Sequence, residues 1–124
     1  LPNINAALGC AQLERLEDFL ARKRRVADAY TAAFLSVDGV RIVFEPDHST
    51  SNMWLNAILL APENSAYRNP ILDMTNEAGL MTRPVWNLIH TLPMYAECPR
   101  ADLSTAEQLA SCLITLPSSP SLAA

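Results

Sequence analysis

The sequence predicts an α/β protein, a two-layer sandwich in which a long leading helix and shorter helices lie on a small sheet. Three observations predict it. A helical apolar period runs from Ile4 to Phe34, two short runs rich in strand-forming residues follow, and a proline-to-glycine bracket encloses a second helix before a third extended run. The order reads α-β-β-α-β-α, and no internal repeat is visible. At 124 residues the chain has the length of a single domain, divided into a connecting helix over residues 1–35 and a sandwich over residues 36–124.

The leading helix begins at Pro2 and Asn3, and Ile4, Leu8, Leu13, Leu16, Leu20, Ala27, Tyr30 and Phe34 mark its apolar face. Asp18 stands four residues before Arg22, the favourable order for an ion pair along a helix. The run Arg22-Lys23-Arg24-Arg25 points in several directions around a helix, so it is expected to form a solvated surface. A helix over residues 3–35 is roughly 48 Å long at ~1.5 Å per residue. A compact domain of this size has a diameter near ~35 Å. The helix is therefore expected to pack its front end on something outside this chain, with a bend as well, for which Gly9 is the candidate.

Val37-Asp38-Gly39 is a turn, and residues 40–44 (VRIVF) form a first strand. Residues 46–51 are a polar loop. Residues 52–60 (NMWLNAILL) form a second strand, too apolar at its end for an exposed edge. Asn69 as N-cap with Pro70 after it, and Gly79 as the residue past the end, bracket a helix over residues 70–78. Residues 80–85 are a third strand, placed at an edge or strand end because Pro84 has no N–H to donate. Residues 86–100 are irregular. Ser104-Thr105-Ala106-Glu107 has the form of a capping box, opening a short helix whose apolar face is Leu109, Cys112 and Leu113, and residues 116–124 are a proline- and serine-rich tail.

Composition removes several classes of function. Half the residues are apolar and 18% are charged, within the globular range. No apolar run approaches the ~20 residues of a membrane span, and the first residues lack the basic and apolar regions of a secretory signal. A net charge of −4 and a pI of 5.0 argue against nucleic acid as the partner. Cys10, Cys98 and Cys112 fit neither a disulfide framework nor a zinc pattern, which is read as reduced, buried thiols in a cytoplasmic protein. His48 and His90 have no second ligand at helical spacing, so no metal is expected. The three glycines are far apart, so no glycine-rich phosphate loop is possible. The one lysine, Lys23, lies in a basic helical run without an evident pocket, a poor setting for a covalent catalyst. No catalytic residue is assigned.

What remains is the stretch from Gly79 to Tyr95. Arg83 can hold an anionic or polyhydroxylated ligand, Trp86 can stack on a ring, and His90 can donate a hydrogen bond. Asn52 and Trp54, at the head of the second strand, are candidates of the same kind. On residue types alone, each of these has an equally ordinary structural role.

Three segments together resemble a known family. LPNINAALGCAQLERLEDFLARKRRVADAY resembles the helix that begins the C-terminal part of the DegT/DnrJ/EryC1/StrS pyridoxal-phosphate-dependent sugar aminotransferases. SNMWLNAILL resembles that family's next strand. TRPVWNLIHTLPMY with CPRADLSTAEQLASCLITLPSSPSL looks like the branch acting on nucleotide-linked 4-keto sugars for bacterial surface glycans, of the legionaminic acid and bacillosamine kind. The resemblance implies the small C-terminal domain of a fold type I enzyme. It implies that pyridoxal 5'-phosphate and its Schiff-base lysine belong to a preceding domain, so the chain alone is a fragment that should be inactive. The absence of an initiator Met points the same way. It further implies a nucleotide-sugar substrate, glutamate as amino donor, a homodimer, and a substrate-binding role for His90, Trp86, Arg83, Asn52 and Trp54. The alternative is an autonomous α/β ligand-sensing or dimerisation module without catalysis.

Overall fold

A computed structural model describes residues 2–123. Two helices lead the chain, α1 (Asn3–Leu13) and α2 (Leu16–Phe34). The long helix is thus interrupted, but at Glu14 and Arg15 and not at Gly9, which lies inside α1. Arg15 leaves the helical region at φ −105° and ψ 3°, and its N–H bonds Gln12 O at 3.2 Å. Its guanidinium lies 5.0 Å from the Phe19 ring centre and 3.9 Å from Asp18, one turn into α2. α1 buries no residue, whereas α2 buries Val26 and Ala27.

The sheet has four strands in the order β1-β2-β4-β3: β1 (Val40–Ile42), β2 (Asn56–Leu60), β3 (Arg83–Pro84) and β4 (Leu113–Leu116). Every pairing is antiparallel. β2 is interior, as its apolar end requires, and β3 is an edge strand, as Pro84 requires. All three expected strands are shorter than the sequence suggests. The fourth, β4, was not expected: Leu113 was assigned to a helix face and Leu116 to a tail. Helix α4 (Ser104–Cys112) instead changes to extended backbone at Leu113, with φ −93° and ψ 132°, and β4 enters the sheet between β2 and β3.

Register puts Ile42, Ile58 and Ile114 side by side on one face, with Leu60, Leu116 and Asn56 on the same face. Ile114 is completely buried. The apolar ones among them form the core with Leu72 of α3 (Arg68–Glu77) and Cys112 of α4, and Tyr30 and Phe34 of α2 pack against it. Helices on a single sheet make the expected two-layer α/β arrangement. Arg83, Thr115 and Ala57 form a row on the other face.

α3 starts at Arg68, straight from the 3₁₀ turn Pro62–Tyr67. Asn69 is therefore not its N-cap; its side-chain oxygen accepts from the Arg68 guanidinium instead. Pro70 stays in the first turn, where its missing N–H is harmless. The other end is as expected: Gly79 has φ +79°, its N–H bonds Asn76 O at 3.0 Å, and Leu80 N–H bonds Thr75 O at 2.8 Å, a Schellman ending. At α4 the capping box does not form. The Ser104 N–H and hydroxyl both donate to Asp102, and Glu107 turns elsewhere. All three cysteines are free, Cys112 buried as expected but Cys10 and Cys98 exposed. Nor are residues 117–123 a loose tail, since Tyr30 Oη donates to Pro117 O at 2.9 Å and the turn Pro120–Leu122 packs on α2.

Candidate aromatic cleft

The structure brings three of the five candidate residues together, Trp54, Trp86 and His90. Trp54 precedes β2 and Trp86 follows β3, and their rings meet at 6.3 Å between centres with 31° between planes. That is the separation of an attractive aromatic pair. Both remain open to solvent, at 65% and 70% exposure, so neither is the core residue that residue type alone would allow. Trp86 also lines a cleft of about 400 Å³ with Arg68, Asn87, His90, Thr91 and Glu107. In it His90 Nε2 lies 3.0 Å from Glu107 Oε1. The imidazole is mostly covered, at 17% exposure, and the carboxylate is mostly open, at 58%. In the neutral ring, an Nε2–H donated to the carboxylate leaves Nδ1 as an acceptor.

Arg83 and Asn52 have different roles. The Arg83 side chain is exposed on β3 and has no hydrogen-bond or ion-pair partner among the described residues; its carbonyl accepts from Thr115 Oγ1 at 2.9 Å. Asn52 Oδ1 accepts the Trp54 N–H at 3.0 Å, so its side chain shapes the loop that carries the indole. Sequence reasoning missed Arg68 and Glu107. Arg68 donates to Ala110 O and to Asn69, tying α3 to α4. Glu107 had been assigned to a helix cap, and no sequence signal links it to a histidine seventeen residues away.

The basic run of α2 is not a solvated face throughout. Arg22 Nε pairs with Asp18 as expected, at 3.1 Å. Lys23 Nζ instead donates to three carbonyls: Met53 at 3.1 Å, Trp54 at 3.2 Å and Ser118 at 2.7 Å. Burial pushes its pKa below the ordinary 10.5. Arg24 donates to Glu45 Oε1 at 2.7 Å and to Ser51 O at 3.1 Å. Glu45 also accepts the Ser51 N–H, and the Arg24 hydrogen bond, then that N–H, hold its carboxyl below the ordinary 4.5. An amine occupied by three carbonyls is not free to attack a carbonyl carbon. Among the described residues no three His, Cys, Asp or Glu side chains converge to hold a metal, and no helix is long and apolar enough to cross a membrane.

The whole chain, residues 1–124, matches the model of the DegT/DnrJ/EryC1/StrS aminotransferase family. It is 40% identical to the GDP-perosamine synthase of Escherichia coli O157:H7 over 98% of this chain and 32% of that protein. It is 35% identical to the putative pyridoxal phosphate-dependent aminotransferase EpsN of Bacillus subtilis (strain 168), over 77% of this chain and 24% of EpsN. It thus spans about a third or less of the length of these curated relatives. Among solved structures, the aminotransferase TlmJ from Streptoalloteichus hindustanus superposes with a TM-score of 0.83 at 25% identity, over 94% of this chain and 30% of TlmJ. Helicobacter pylori PseC, an aminotransferase involved in the biosynthesis of pseudoaminic acid, shares the fold with a TM-score of 0.89 at 22% identity, over 98% of this chain and 33% of PseC. With a family match along its entire length, the chain belongs to the DegT/DnrJ/EryC1/StrS aminotransferases.

Proposed function

We propose that this chain is the C-terminal, substrate-facing part of a pyridoxal-phosphate-dependent enzyme that transfers an amino group, from glutamate, to a nucleotide-linked 4-keto sugar. The observation that carries the reading is the open indole pair beside the His90–Glu107 cleft, in a chain of this family. The 4-position has support in the 32% identity to the dTDP-4-dehydro-2,3,6-trideoxy-D-glucose 4-aminotransferase of Saccharopolyspora spinosa. Within that class we place the substrate among precursors of bacterial surface glycans of the legionaminic acid and bacillosamine kind. The working enzyme is a cytoplasmic homodimer.

The residues here do not fit the cofactor itself. Lys23 is committed to three carbonyls, and Gly9, Gly39 and Gly79 are too dispersed to cradle a phosphate. The work of this chain is therefore binding and orientation. Trp54 and Trp86 offer a flat apolar surface to a sugar or base ring and keep water from it. His90, held by Glu107, presents Nδ1 to a sugar hydroxyl, and Arg83 supplies a cation for the diphosphate.

The test uses the full-length gene product that carries this chain. In His90→Ala and Trp86→Ala, the KM for the nucleotide sugar should rise about tenfold, the size of one lost stacking or hydrogen-bond contact. The half-reaction with the amino donor should stay unchanged. Variants that impair both halves equally, or neither, would overturn the reading.

A further inference from the structure

We infer that Lys23, aided by Arg24 and Glu45, is a positioning residue that sets the indole of Trp54 against that of Trp86. Its effect on the sugar-nucleotide pocket rests on the function proposed above, whereas the positioning itself does not. Trp54 is 65% exposed, so burial of its ring does not fix where it points. Polar anchors from side chains do so instead. The Met53 and Trp54 carbonyls both accept from Lys23 Nζ, the Trp54 N–H donates to Asn52, and the Met53 N–H donates to Ser51 Oγ. The Ser51 N–H and carbonyl go in turn to Glu45 and Arg24.

Met53, between the anchored groups, has φ +49°, in the left-handed region that a side chain rarely adopts. Such a residue persists where its surroundings hold it. Lys23 holds it from a rigid support, because α2 is fixed through buried Val26 and Ala27. The third carbonyl, of Ser118, ties the same ammonium to the end of the sheet, where Ser118 Oγ accepts the N–H of Asn56 at 2.8 Å. An ammonium with three N–H bonds suits three convergent carbonyls; a planar guanidinium does not.

The experiment is Lys23→Met in the full-length gene product, read first by the exciton signal of the two paired indoles in circular dichroism. Trp54→Phe assigns that signal. Lys23→Met should lose it while keeping the helical spectrum, and Lys23→Arg should restore it only in part. The KM for the nucleotide sugar should rise about tenfold with kcat within about twofold, and in a Trp54→Ala background Lys23→Met should add nothing further. A folded Lys23→Met protein that keeps the indole signal overturns the inference. If Lys23→Met does not fold, Glu45→Gln replaces it: loss of the signal supports the strap and retention overturns it. Loss of the signal in Lys23→Met with KM unmoved there and in Trp54→Ala supports the positioning and defeats the pocket assignment instead.

Discussion

Glu45 shows how a residue with no chemistry of its own can matter to a site. Its carboxylate gathers Arg24 and the Ser51 N–H, which keeps its pKa below 4.5 in the folded chain. A lowered folded value means that the stabilisation is fully present above the unfolded value and is lost as pH falls through the folded one. Denaturation midpoints of the native protein and Glu45→Gln, followed from pH 7 to pH 3, should therefore differ most at the neutral end and converge on acidification. A constant gap would show that the ionised carboxylate is not the cause. Of the five candidates, the aromatic pair and His90 were singled out by the family motif they stand in, since residue type alone gave each an equally ordinary structural role. The partners were not. Lys23 and Glu107 each had a plausible local reading, as an exposed helical charge and as a cap, and only the tertiary fold brings Met53 and His90 to them. Gly39 is a milder case of the same kind: it sits in the expected turn with φ +74°, but the clash that any Cβ at this position would make with the Asn64 side chain depends on a distant segment.

Among the elements, those with punctuation were legible and those without it were not. Gly79 ends α3 with the hydrogen bonds its position implies, and Pro84 confines β3 to an edge. β4 has no such marker. It follows α4 without a turn residue, and Leu109, Cys112 and Leu113 share a helical spacing that hides the change of period. Its weight in the fold is nevertheless large, because Ile114 is completely enclosed between β2 and the helices. Ile114→Ala should cost ~2–5 kcal/mol by lost transfer energy and a cavity, measured by denaturant unfolding. Thr115→Ala, on the half-covered outer face, should cost far less. Equal costs would mean that β4 is not the interior strand described.

At the scale of the molecule, the two ends of the helical lead behave differently. α2 is built into the sandwich, but α1 leaves Ile4 77%, Leu8 62% and Leu13 69% exposed and buries nothing. An apolar stripe of that kind favours association. The 124-residue chain produced alone should populate dimers or larger species in a concentration series followed by sedimentation. It should also show no transamination and bind pyridoxal phosphate without a stoichiometric adduct at Lys23. A strictly monomeric chain, or a specific Lys23 adduct, would contradict these expectations.

The position of β4 also governs the order in which the sheet can assemble during synthesis. β1 and β2 can meet as soon as both have left the ribosome, but β3 has no neighbour to bond until residues 113–116 emerge. Until then the backbone N–H and C=O groups along one edge of the apolar β2 stay unpaired, a nascent state open to wrong pairing or to chaperones. A stop codon just before Leu113 would therefore not trim an appendage; it would remove the seam that joins the two halves of the sheet.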